Sequence, residues 1–343
     1  MDHLPSEILT SIYLVLPDVA SALSLSTTCR RFRNIYHSSQ ELVILSRAAD
    51  TELGPIEDFI QLLTHNASQL AHVHRTVPIS HALIRDFTKI GRVAQRWEEI
   101  YSFKKWKDNW ADRRLLNADE RYQVRRAIYR LWLFARAFHL PPNRRTSRGI
   151  PAVVRKRAAL LQNFPTPELA EMWDVHQVLR NTVSNDICPS NARMRQKFQQ
   201  RFPDNSNPLS INIHLNYPVA PSSFVPASWL HNSTMASAKS QSRLAPSRWH
   251  EPGAEGWGDD INHYYVVEDM MKLDPGQILH LRDRCSSKEQ VEAYVREKGE
   301  WFINNGETFS QTLALVVAQR GECMEDLKAG VEAGEMGVAV SED

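Results

Sequence analysis

The chain reads as an all-α protein. Apolar residues recur three and four positions apart through most of its 343 residues, which is the period of a helix with one buried face. Prolines stand between these stripes, where helices begin or end, rather than inside them. No period of roughly 20 to 50 residues recurs, so leucine-rich, WD-type and kelch repeats are excluded.

The first element opens at Pro5, because the N–H that proline lacks is one of the unpaired donors of a first helical turn. Glu7 lies near the positive end of that helix dipole. Ile8, Leu9, Ile12, Val15 and Leu16 form an apolar stripe, and the helix should stop at Leu16 because Pro17 disfavours a helical residue before it. Asp18 can then cap a second helix that carries Val19, Ala22, Leu23 and Leu25. After a break at Thr27 and Thr28, the residues Cys29, Phe32, Ile35 and Tyr36 make a third short apolar face, with Arg30, Arg31 and Arg33 on its wet side. Three helices of about ten residues are too small for a self-sufficient core, since units of roughly 40 residues or fewer usually need a disulfide, a metal or a partner.

From Leu4 to Tyr36 the run LPSEILTSIYLVLPDVASALSLSTTCRRFRNIY resembles an F-box. The resemblance implies that Leu4, Pro5, Ile8, Leu9, Leu16, Pro17, Leu23, Leu25, Cys29 and Phe32 form or support a surface for the Skp adaptor, and through it for a cullin. An interface of this kind removes about 1,600 Å² in total from water. The run departs from the family pattern at Thr28 and Phe32, where a branched apolar residue and a Trp are common, and at Leu42 and Val43, where a Leu-Trp pair often follows. The implied role is the substrate-recognition subunit of a Skp-cullin-F-box ubiquitin ligase. In that role the chain holds a client protein near the ubiquitin-charged enzyme and needs no catalytic residue, cofactor or metal of its own.

Beyond this segment, Gly54 and Pro55 precede a stripe of Ile56, Phe59, Ile60 and Leu63, and Pro78 precedes Leu83, Ile84, Phe87 and Ile90. The strongest single helical pattern follows Asp119, a candidate cap, and runs through Val124, Ala127, Ile128, Leu131, Trp132, Ala135 and Phe138 to the stop at Pro141 and Pro142. Thr166, Pro167 and Glu168 start another helix with Leu169, Met172, Trp173, His176 and Leu179 on one face. Between Phe202 and Gly258 seven prolines fall among Asn, Ser and Thr, a spacing that no helix crosses; one short strand is expected at Ile211 to Leu215. Order resumes over Asn262 to Leu273. Ser286 and Glu289 have the spacing of a capping box, and a last helix runs from Thr308 to Arg320 with Gly321 as its stop. The tail from Glu322 holds seven acidic residues against one Lys, and its composition predicts disorder.

The expected organisation is therefore an F-box at residues 1–45, a first part of a helical substrate-binding body at 46–200, a Pro/Ser/Asn-rich loop region at 201–258, a second part of the body at 259–320 and a disordered acidic tail at 321–343. The helices RRAIYRLWLFARAF from Arg125, ELAEMW from Glu168 and the run from Gly256 to Asp283 resemble the bodies of F-box proteins that are numerous in filamentous fungi. In that group the region after the F-box chooses the client, but the likeness names none.

The longest apolar stretch, Leu313 to Ala318, is too short to span a bilayer, and a basic-then-apolar leader is not seen, so no membrane partner is expected and a cytoplasmic or nuclear location is. Cys29, Cys188, Cys285 and Cys323 stand isolated, without the Cys-x-x-Cys spacing of a zinc site. His72 and His74 lack a third ligand nearby, and His176 lies on the apolar face of its helix, where a partly buried, hydrogen-bonded histidine is expected. No phosphate-binding glycine loop is present: Gly256, Trp257 and Gly258 lead into Asp259 and Asp260, which would repel a phosphate. Nor does any Gly-x-Ser-x-Gly elbow occur.

A net charge of +1 hides an uneven distribution. Residues 89–157 hold 19 Lys and Arg against 6 Asp and Glu, while the rest of the chain holds 22 against 34. Either the two regions pack together or the basic one meets an anionic partner. Within it Trp97, Tyr101, Phe103, Trp106 and Trp110 alternate with Arg96, Lys104, Lys105 and Lys107, a pattern compatible with nucleic-acid binding. The helical spacing of Val93, Trp97 and Tyr101 favours an amphipathic helix whose aromatics face a core, so a nucleic-acid or scaffold role stands as the alternative.

Overall fold

The structure is a computed structural model that describes residues 4–66, 68–107, 113–143, 145–201 and 256–340. Among them the secondary structure is helical throughout, as the sequence predicts. The helices are α1 Ser6–Leu14, α2 Val19–Thr28, α3 Arg30–Tyr36, α4 Glu41–Leu53, α5 Ile56–Thr64, α6 His81–Lys105, α7 Ala118–Phe138, α8 Pro151–Gln162, α9 Thr166–Thr182, α10 Asn191–Arg201, α11 Asp260–Met270, α12 Pro275–Arg284, α13 Lys288–Arg296, α14 Phe309–Gln319 and α15 Met324–Ala333. The expected strand at Ile211 to Leu215, and all of the 201–258 loop region except its two ends, lie outside the described residues.

Local chemistry explains most of the boundaries. Asp18 caps α2 by accepting the Ser21 N–H at 2.6 Å, and Ser80 caps α6 through the Leu83 N–H at 3.2 Å. The cap of α7 is Asn117 and not Asp119, because Asn117 and Glu120 form a reciprocal capping box with both bonds at 2.8 Å. Ser287, one residue later than the expected Ser286, stands at the N-cap of α13. The tail corrects the sequence reading: Met324, Leu327 and Val331 recur at helical spacing and are buried, α15 ends at Gly334 in the left-handed conformation at φ 76°, and Val338 is buried beyond it. Acidic composition had hidden that stripe.

Two compact units divide the chain differently from the expected segments. The first takes residues 1–178, 273–276 and 308–343, so the F-box-like helices are part of a larger body and the tail belongs to it as well. Its centre is the pair α6 and α7, with Trp97, Tyr101, Phe59, Phe87, Tyr129 and Phe134 fully buried. Gly91 lets α6 approach α4 closely: a Cβ there would lie 2.8 to 2.9 Å from three atoms of Leu53. Phe309 of α14 packs its ring 5.4 Å from Phe134 and 4.9 Å from His176, which is buried more deeply than the partial burial expected.

The interior of this unit also holds charge. Arg125 of α7 reaches Glu98 at 2.9 Å and the Gly54 carbonyl at 2.9 Å; Arg126 reaches Glu171 at 2.6 Å and Glu168 at 3.1 Å; Arg130 reaches Asp58 at 2.9 Å and Glu168 at 2.7 Å. Burial raises the carboxyl groups of Asp58, Glu98 and Glu171 above the ordinary carboxylate value, and their arginine partners offset only part of that rise.

The second unit comprises residues 179–272 and 277–307. Val183, Ile187, Val267, Met270, Ile278, Leu281 and Phe302 are buried in it. Arg180 pairs with Glu268 at 2.5 Å and Arg282 with Asp186 at 3.6 Å. Asp269 holds a turn by accepting the N–H groups of Asn304, Asn305 and Gly306 at 2.7 to 2.9 Å, and buried Lys272 donates to the same carboxylate at 2.9 Å.

Arg130→Met leaves Asp58 without its ion-pair partner and Glu168 with Arg126 alone, and is expected to cost about 3–5 kcal/mol in chemical denaturation. A pH series tests a second site. His65 is buried, and burial, followed by Arg75 and Arg136, lowers its pKa from 6.5. The folded state therefore favours the neutral ring. Its contribution is complete above the ordinary histidine value and is lost as pH falls below it through the folded value. The thermal midpoint should fall over that window in the wild type, and His65→Gln should flatten the fall.

Candidate docking face of the N-terminal helices

Leu9, Tyr13, Ala22, Phe32 and Tyr36 form one buried cluster with Ile44, Leu45 and Ala48 of α4 and Ile84 of α6. The three short helices thus find their missing wall within their own chain, where the sequence pointed to a partner. Tyr13 is the centre of the cluster: its hydroxyl donates to the Phe32 carbonyl at 3.1 Å, and its ring meets Phe32 edge-on at 5.9 Å. Burial, with smaller contributions from Cys29 and Tyr36, pushes its pKa up to about 12. The Arg31 guanidinium donates to the Leu4 carbonyl and ties the entry of α1 to α3. The Val19 N–H donates to Glu52 of α4 at 3.2 Å.

The ten candidate residues separate by depth. Leu9 and Phe32 are core residues that support the helices from beneath. Leu4, Leu16 and Leu25 are half-buried against the same cluster. Pro5, Ile8, Pro17, Leu23 and Cys29 are exposed, with Ile8 at 47% and Leu23 at 46%. The apolar stripe read from α1 divides: Leu9 and Tyr13 face inward with half-buried Ile12 packed against their cluster, while Ile8 and Val15, the latter at 79% exposure, are outward. The sequence reading took Val15 for a buried residue and passed over Tyr13. The four-residue step from Leu9 to Tyr13 was the signal available, masked by the choice of purely aliphatic residues. Val43 of α4 is a further exposed apolar residue, at 50%.

The basic aromatic segment is largely a core element. Trp97 and Tyr101 are buried; the Trp97 Nε1–H donates to the Pro275 carbonyl at 3.0 Å, and the Tyr101 hydroxyl donates to Asp174 at 2.6 Å. Lys105 also meets Asp174, at 2.9 Å. Trp106 is half-buried beneath Arg114, Phe103 is exposed, and Trp110 lies outside the described residues. The Cys residues form no disulfide; Cys29 and Cys323 are exposed, Cys188 and Cys285 buried. His72 is half-buried and His74 exposed, and among the described residues no three His, Cys, Asp or Glu side chains are grouped to hold a metal ion. Nor is any described helix long and apolar enough to cross a membrane.

Comparison with protein-family models, with curated proteins and with solved structures finds no match to this chain.

Tyr13→Phe removes one buried hydrogen bond and should cost about 1 kcal/mol. It should also lessen the loss of stability as pH rises from the ordinary tyrosine value of 10 through about 12, because the folded state favours the protonated phenol. Ile8→Ser, on the outward stripe, should change stability by no more than about 0.5 kcal/mol. Denaturation curves at neutral and alkaline pH compare the three proteins.

Proposed function

We propose that this protein is the substrate-recognition subunit of a Skp-cullin-F-box ubiquitin ligase. The observation that carries the reading is the F-box-like run from Leu4 to Tyr36, in which Ile8 on α1 and Leu23 on α2 are exposed, as are Pro5 and Pro17 beside the helix ends. Exposed apolar side chains on neighbouring turns are the ordinary basis of a protein interface, because burying them removes their surface from water. Leu9, Tyr13 and Phe32 would set the spacing of the helices that carry them.

The mechanism is positional. One surface holds the adaptor, another part of the chain holds a client, and tethering raises the local concentration of the client's lysines at the ubiquitin-charged enzyme. No group of this chain is required to form or break a bond.

Co-purification of the full chain with the Skp adaptor tests this reading. The wild type should retain the adaptor, and Pro5→Ala combined with Ile8→Asp should lose it with an unchanged thermal midpoint. Absence of adaptor from the wild type, or its retention by the double variant, would refute the assignment.

A further inference from the structure

We infer that the outward ridge of α6 is a binding face for single-stranded nucleic acid. At 3.6 residues per turn, Arg85, Lys89, Arg92, Arg96 and Phe103 fall within about 60° of one another on the helix surface. All five are exposed, on the side away from the buried Leu83, Phe87, Ala94, Trp97 and Tyr101. The four cations follow one another at about 4.5 to 6 Å along the axis, and Phe103 lies about 10 Å beyond Arg96.

Two carboxylates answer part of this charge. Asp86, half-buried, lies 3.6 Å from Lys89, and exposed Glu99 pairs with Arg96. Arg85 and Arg92 make no ion pair or side-chain hydrogen bond with any described residue. The contrast with α7 is sharp: there each arginine turned inward has its own carboxylate. Of the residues that the sequence offered as a stacking platform, Trp97 and Tyr101 are in the core and Phe103 is exposed. The exposed set keeps Phe103 and Arg96 and adds Arg85, Lys89 and Arg92.

Phe103 decides between polyanions. It is 63% exposed, and the Arg113 guanidinium lies 4.0 Å from its ring centroid. An acidic polypeptide would use the four cations and leave the ring idle. A nucleic-acid strand offers a phosphate at every nucleotide, so it needs no particular register on the ridge, and its bases stack on aromatic faces whatever their sequence.

The test is fluorescence anisotropy of the full chain with labelled 20-nucleotide oligo(U) and oligo(dT). Binding should weaken with salt, with a slope of about −3 in log K against log salt for four neutralised phosphates. Arg85→Glu with Arg92→Glu should lower affinity at least about tenfold and flatten the slope. Phe103→Ala should lower affinity about tenfold and leave the slope unchanged. The exposed pair Arg155→Glu with Lys156→Glu, on α8, should leave affinity unchanged. Since every substituted side chain is exposed, circular dichroism melts should match the wild type. No binding at low salt would overturn the inference, as would an equal loss in the α8 variant. Tight binding of poly-glutamate that ignores Phe103→Ala would overturn it in favour of an acidic polypeptide.

Discussion

Three arginines within six residues of α7 turn into the first unit, and the surrounding helices are arranged to receive them. Arg125, Arg126 and Arg130 draw in Glu98 from α6, Asp58 from α5 and both Glu168 and Glu171 from α9. Burial alone would make each of these carboxyls a poor acid, and it is the guanidinium beside each that holds the charge in place. A pair of this sort adds little to stability when whole and costs much when halved. Its effect is on register: α5, α6 and α9 can pack on α7 only where every guanidinium meets an acid. The excess of positive charge along residues 89–157 is answered in this way from the acidic remainder of the chain, as far as the inward-facing residues are concerned.

The same constraint of completeness governs the N-terminal helices. As a set of three they lack a fourth wall, and α4 with Ile84 supplies it. Tyr13 closes the cluster with its ring, and its buried hydroxyl is paired with the Phe32 carbonyl. With the core completed from inside the chain, Pro5, Ile8, Val15, Pro17 and Leu23 are left outward on a supported surface. That surface is fit to meet another protein whichever protein it is.

Periodicity made the helices legible in the sequence, and proline positions gave most of their ends. What periodicity does not encode is which side of a broad stripe is inward. On α1 the spacing grouped Ile8 and Val15 with Leu9, although the packing of α3 and α4 against one flank separates them. Ion pairs were illegible for a related reason: Arg130 and Asp58 are far apart along the chain, and nothing local links them. The tail failed on scale, because acidic composition was weighed over the whole segment while Met324, Leu327 and Val331 carry the fold at a spacing only visible residue by residue. Of the residues named from the motif, Ile8, Leu9, Leu23, Leu25 and Phe32 lie in the three helices and Leu4, Pro5, Leu16, Pro17 and Cys29 at their ends, and burial, which the motif does not encode, separates the supports beneath from the exposed side chains.

Ile84 and Arg85 show how closely the two outward faces of this unit are coupled. Ile84 completes the buried cluster beneath the N-terminal helices, and the next residue begins the cationic ridge. Both belong to α6, a helix of 25 residues whose inner face is locked by Gly91 against Leu53 and by Trp97 against Pro275. No flexible linker stands between them. A ligand on the ridge would therefore be held at a fixed distance from whatever sits on α1 and α2, and its effective concentration there would be set by helix geometry rather than by the length of a tether. On the proposed reading, in which the chain holds one molecule beside another, that rigidity would fix the distance between the two.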